Sequence, residues 1–285
     1  MGVFGRSWYL TKLSFGVIQQ DKELLLFPLL GGVFSLLYGA ALLVPTVLVQ
    51  LVNREGSVAL GAVEMVAIFA SYFGLAFIAT FFNVCVVYTS KVRFEGGDAT
   101  FGESLRFAFS RLGPIFLWSL LSATVGILLQ TLENLAHEKN VAFRIVLTIV
   151  RSILGLIWTV VSMFVIPAMV YEGMGPLEAL KSSVATVKQT WGESLVRHYG
   201  LGLIQFLFLL LGVGLSAALF AGLGSLGPAG VYTAIGLSAV YFIGVVLVFS
   251  VANGVYKTAL YAYARSGQVP GGYDPSVLQS AFRTR

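Results

Sequence analysis

Long apolar runs separated by short polar ones dominate the chain. Six runs reach or pass the roughly 20 apolar residues needed to cross a bilayer core. They are Leu24–Val52, Val58–Tyr88, Gly113–Leu132, Val141–Tyr171, Tyr199–Leu223 and Ala229–Tyr263. Spanning strands are excluded, because open sheet edges stay unsatisfied in lipid and barrel strands would alternate apolar and polar residues. Several runs exceed the minimum, so tilt or extension beyond the membrane is expected. The pattern predicts an all-α polytopic membrane protein with six transmembrane helices.

The polar segments carry a second pattern. "TFGESLRFAFSRLG" sets Phe101, Leu105, Ala108 and Leu112 on one helical face, with Glu103, Arg106 and Ser110 towards the other. "GPLEALKSSVATVKQTWGE" repeats the design, and "GRSWYLTKLSFGVIQQD" is a weaker version. Each is followed by two spans. Aligning Ser14, Ser104 and Ser183 brings Asp21, Arg111 and Thr190 into register. The expected plan is three hairpins, each preceded by a cytoplasmic amphipathic helix lying in the interface. The pseudo-repeats cover about 1–95, 96–173 and 174–265 of one transmembrane domain, and residues 266–285 form a cytoplasmic tail.

Composition agrees with this plan. Of 285 residues, 57% are hydrophobic and 11% charged, against about 25% charged in soluble domains. The N-terminus lacks the compact apolar core and cleavage site of a secretory signal. The basic residues gather on one side of the spans. Fourteen of the 18 lie before the first, between the second and third, between the fourth and fifth, or near and after the end of the sixth. The positive-inside rule then places both termini in the cytoplasm. The net charge of +5 is thereby assigned to anionic lipid headgroups rather than nucleic acid, with Lys12, Lys22, Arg106, Arg111, Lys181, Lys188 and Arg197 as inner headgroup contacts. The outer loops, around "NREGS", "ENLAHEKN" and "GSLGP", are too short for a folded domain.

"SWYLTKLSFGVIQQDKELLLFPLL", "FFNVCVVYTSKVRFEGGDATFGESLRFA", "GPLEALKSSVATVKQTWGE" and "YAYARSGQVPGGYDPSVLQSAFR" resemble an uncharacterised family of prokaryotic six-helix membrane proteins, a domain of unknown function. The resemblance covers almost the whole chain. It implies the fold and a prokaryotic inner (cell) membrane, and brings no activity or functional residue. A more distant similarity is to the membrane domain that accompanies some glycerophosphodiester phosphodiesterases, whose catalytic domain is not present in this sequence.

Candidate chemistry starts with polar residues inside the spans, where burying charge is costly. Glu64, Arg144 and Arg151 form a candidate intramembrane cluster. Counted from Tyr88 and Tyr171, Glu64 falls at a depth between the two arginines, so a pair between Glu64 and one of them is expected. Such a group either fixes helices and snorkels outward or lines a polar cavity. Asn83, Asn253 and Gln205 are candidates for hydrogen bonds between helices or for a cavity lining. Pro28, Pro45 and Pro167 should kink or interrupt their spans. Cys85 is alone and reads as a small buried hydrophobe. His137 beside Glu133 and Glu138 lacks metal-ligand spacing, and no nucleophile, metal or phosphate-loop motif occurs. The expectation is therefore no enzyme, metal or cofactor. The reading is a lipid-interacting, membrane-organising or scaffolding module, open to homo-oligomers. A transporter or channel for a small solute or lipid is the alternative.

Overall fold

The computed structural model describes residues 12, 14–52, 60–137, 141–190, 200–267 and 269. These residues form helices and connecting turns, with no strand among them. A short helix α1 covers residues 14–20 and a 3-10 turn covers Lys22–Leu25. There follow α2 (Leu26–Val52), α3 (Leu60–Phe94), α4 (Phe101–Ser110), α5 (Leu112–His137) and α6 (Val141–Val161). The remainder are α7 (Val165–Glu172), α8 (Pro176–Thr190), α9 (Gly200–Leu223) and α10 (Pro228–Ser266).

Six stretches are long and apolar enough to cross a membrane: Lys22–Leu42, Met65–Phe94, Leu112–Leu135, Phe143–Glu172, Leu201–Leu226 and Pro228–Ser266. The protein is thus built as a multi-pass membrane protein. Its exposed residues agree, since α6 leaves Ile145, Val146, Ile149 and Ile153 bare and α9 leaves Phe206, Leu210 and Val213 bare. Apolar surface on this scale would be a liability in water and is the expected lining against lipid.

The 35 residues of α3 and 39 of α10 extend about 52 and 58 Å at 1.5 Å per residue, against a hydrocarbon core of about 30 Å. Burial is uneven along both. On α3, Met65 and Val66 are exposed, whereas Val84, Cys85, Val86, Val87 and Thr89 are buried. On α10, the buried run extends from Phe249 to Tyr261. Both helices therefore have their packed parts towards their C-terminal ends, near the basic segments.

The chain divides into two compact units, one containing Met1–Pro28, Ser90–Asp98 and Gln189–Arg285, the other Leu29–Thr89 and Ala99–Lys188. In the first unit, α9 packs on α10, where Tyr241 Oη donates to the Phe208 carbonyl at 2.9 Å. Gly212 lies directly under the Tyr241 and Phe242 rings. Phe15 of α1 meets Phe249 edge-on at 5.9 Å. In the second unit, α5 packs on α6 with Trp118 and Trp158 stacked at 5.6 Å. There Tyr38 Oη donates to the Ala70 carbonyl at 2.8 Å, its ring resting over Gly74, and Tyr72 Oη donates to Gln130 Oε1 at 3.2 Å.

The prolines act differently from one another. Pro28 is the third residue of α2 and does not interrupt it, because an N–H in the first turn has no intrahelical partner to lose. The helix also runs unbroken through Pro45. Only Pro167 accompanies a break. Its ring opposes the carbonyl four residues back, and the fourth span splits at residues 162–164 into α6 and α7. The "ENLAHEKN" loop also begins later than expected, since α5 continues to His137 and takes Glu133 with it.

Candidate functional site

The charges of "DKELLLFPLL" separate by burial. Lys22 and Glu23 are exposed, while Asp21 is only 7% exposed. Asp21 accepts two hydrogen bonds from Arg93 near the end of α3, from Nε to Oδ2 and from Nη2 to Oδ1. Arg93 Nη2 also donates to Asp98 Oδ1 at 2.7 Å. The two-point geometry suits the planar guanidinium and fixes both partners. Arg93 remains 24% exposed and Asp98 80%, so the interaction is graded from a buried carboxylate to a solvated one. Sequence reasoning missed it because the partners are 72 residues apart; the available signal was an aspartate at the apolar border.

Arg111, aligned with Asp21 by sequence, occupies the C-cap of α4. Its Nη1 donates to the Gly173 carbonyl at 3.3 Å, and its guanidinium lies 5.7 Å from the Phe107 ring centroid. It is half-buried and ties the end of α4 to the residue just past the end of α7. Of the other expected headgroup contacts, Lys12, Lys22, Arg106, Lys181 and Lys188 are exposed. Arg197 lies outside the described residues, as do His198 and nearly all of the tail.

The three aligned serines are all completely buried. Ser104 Oγ lies 2.7 Å from Thr89 Oγ1 and 3.2 Å from the Thr100 carbonyl. Ser183 Oγ accepts from the Phe164 backbone N–H at 3.1 Å. That N–H is freed by the break before Pro167, where the Met163 N–H has taken the Val160 carbonyl. Ser14 belongs to α1, whose next residue packs on α10. Three glycines with left-handed backbone, Gly96, Gly173 and Gly267, follow the ends of α3, α7 and α10 with φ of 86°, 68° and 67°. Each ends its helix where a side chain would be strained.

At the start of α4, the Thr100 N–H donates to Glu103 Oε2 at 2.9 Å and the Glu103 N–H donates to Thr100 Oγ1 at 3.3 Å. This reciprocal capping box satisfies two free donors. The bond from the Thr100 N–H is the main reason that the Glu103 carboxyl is held below its usual range, with Arg106 adding a smaller attraction.

Of the predicted intramembrane cluster, Arg151 pairs with Glu133 of α5 at 2.9 Å. The Glu64 side chain lies outside the described residues, and Arg144 is exposed. Arg151 and Glu133 are both more than a third exposed; the pair joins α5 to α6. Asn253 Nδ2 donates within its own helix, to the Phe249 carbonyl at 2.9 Å. Asn83 is exposed and Gln205 half-buried. Among the described residues no group of three potential metal ligands occurs.

A family model described as a family of unknown function, DUF6159, matches residues 62–271. No curated protein matches the chain, and these matches carry no similarity to the phosphodiesterase membrane domain.

Proposed function

The chain belongs to this family of unknown function, and we propose that it is a non-enzymatic prokaryotic inner-membrane module that organises or scaffolds membrane by engaging anionic lipid. In this reading three hairpins are each preceded by an interfacial amphipathic helix, both termini are cytoplasmic, and copies can associate. The observation that carries it is the shared construction of the three elbow segments. Each contains a fully buried serine, and each packs on the closing helix of a pair of spans. For α4 that helix is α3 and for α8 it is α7; for α1 it is α10. The three left-handed glycines support the same repeat. So built, the elbows hold their exposed bases, Arg106, Lys181 and Lys188, beside the ends of the spans, where anionic headgroups would lie.

The test is thermal unfolding of the full chain in detergent with added phosphatidylglycerol or phosphatidylcholine of matched chains. Selective binding raises the midpoint with the anionic lipid alone. Equal responses to both lipids would refute the reading. Transport of a small solute or lipid is the second reading, supported by Asn83, a polar residue exposed within the otherwise buried inner stretch of α3. Flux into proteoliposomes that is lost in Asn83→Leu would favour it.

A further inference from the structure

An apolar cavity of ≈ 410 Å³ opens in the second unit, between α4 and the spans α2 and α3. Its size lies within the range of about 300–1,000 Å³ typical of small-molecule sites. Phe77, Phe81 and Phe82 of α3 floor it with Phe34 of α2, while Phe101, Leu105 and Phe109 of α4 roof it. The roof residues are spaced four apart, so one face of α4 covers the floor along its length. Phe34, Phe109 and the lining residue Leu112 are exposed, leaving the cavity open from the side.

Every residue lining the cavity is apolar. An extended peptide would find no side-chain partner for its backbone groups, and water would find none either. Hydrocarbon needs no such partner, and filling the void restores dispersion contacts to its walls.

A charge lies beside the roof. Phe107 of α4 stacks on Tyr88 at 4.3 Å, while Phe109 meets Phe81 at 5.0 Å. The seven residues from Phe81 to Tyr88 rise about 10 Å along α3. Arg106 is exposed and lies between Leu105, which lines the cavity, and Phe107, which reaches Tyr88. It is also about 100° around α4 from the roof residue Leu105. A chain in the cavity would place its phosphate within reach of this cation.

We propose that the cavity under α4 binds one acyl chain of an anionic phospholipid whose phosphate pairs with Arg106. This deepens the lipid-engaging reading and rests on it. The test is native mass spectrometry of the full chain taken from vesicles of equal phosphatidylglycerol and phosphatidylcholine with matched chains. Wild type should retain one phosphatidylglycerol through detergent washing that strips the others. Leu105→Trp, which fills the cavity, should lower that retention at least tenfold, while Leu105→Ala keeps it. Arg106→Gln should retain lipid but bring the ratio of the two headgroups to about one. A thermal melt of each variant reports folding. A folded Leu105→Trp that retains the lipid like wild type overturns the cavity site, as does a protein dimer seated there in place of lipid. Should Leu105→Trp misfold, an unchanged headgroup ratio in Arg106→Gln overturns it. Wild type with no headgroup preference would instead refute the broader lipid-engaging reading, so the two failures are distinguishable.

Discussion

Removing Arg93 should destabilise the protein more than removing Asp21, although both changes break the same pair. In Asp21→Ala, Arg93 stays 24% exposed and keeps Asp98 at 2.7 Å, so its charge remains partly solvated and partly paired. The cost is set by lost hydrogen bonds to a charged group, about 1–3 kcal/mol. In Arg93→Ala, Asp21 is left 7% exposed with its charged partner gone. A stranded buried charge of this kind costs about 3–5 kcal/mol. The double variant should cost less than the sum of the singles by about 1–3 kcal/mol, because the second truncation removes an interaction already lost. Asp98→Ala, at a residue 80% exposed, should stay within about 0.5 kcal/mol of wild type. The assay is reversible unfolding of the full chain by SDS in mixed micelles, completed as a double-mutant cycle. Arg93→Ala no more destabilising than Asp21→Ala, or singles that add to within about 0.5 kcal/mol, would refute the reasoning.

The elbow serines should respond unequally in the same unfolding assay. Ser183→Ala strips the acceptor from the buried Phe164 N–H and should cost about 1–3 kcal/mol. Ser104→Ala should cost less, because Thr89 Oγ1 retains the Cys85 carbonyl at 3.0 Å; equal losses would contradict this. A methyl group on Gly230 would collide with the Leu223 backbone carbonyl, whereas one on Gly236 meets nothing within 4 Å. Gly230→Ala should therefore lower the melting temperature sharply, and Gly236→Ala should hold or raise it through better helix propensity. Because Glu103 is depressed in the folded state, its contribution is fully present above the ordinary glutamate pKa and is lost as pH falls through the lower folded value. Amide exchange at the start of α4 should then accelerate on acidification relative to the intrinsic rate, and Glu103→Gln should remove that extra acceleration.

The span positions were legible because lipid imposes a simple rule: the backbone must satisfy itself, so apolar length translates into helix. Expected and observed ends differ by a few residues, except where polar residues prolong a helix. Lys91 and Arg93 extend α3 beyond Tyr88, and Glu133 extends α5 beyond Leu132. A charge count reads such residues as outside the span, but helices do not stop where hydrophobicity does. The pairings were less legible because depth along a span constrains only one coordinate. Glu64 falls in depth between Arg144 and Arg151 and its side chain lies outside the described residues, while Arg151 meets Glu133, on the helix packed directly against α6. Rotation about a helix axis and choice of neighbour decide such contacts, and neither appears in a depth count.

In the repeat proposed above, Asp21 and Arg111 share one register position and differ in charge, yet each connects to the end of a later helix. Asp21 ties the start of the first pair of spans to Arg93, in the last turn of α3. Arg111 ties the start of the second to the Gly173 carbonyl, just past the end of α7. The two ends present opposite partners. The last turn of α3 carries the basic side chains Lys91 and Arg93, whereas α7 has no base in its last turn. Carbonyls at a helix C-terminus carry partial negative charge and lack intrahelical donors. A carboxylate suits the first end and a guanidinium the second, so opposite charges at one register position make the same connection. The chemistry of "DKELLLFPLL" is thus set by what waits at the far end of its own pair of spans, and the apolar border that follows it sets only the position.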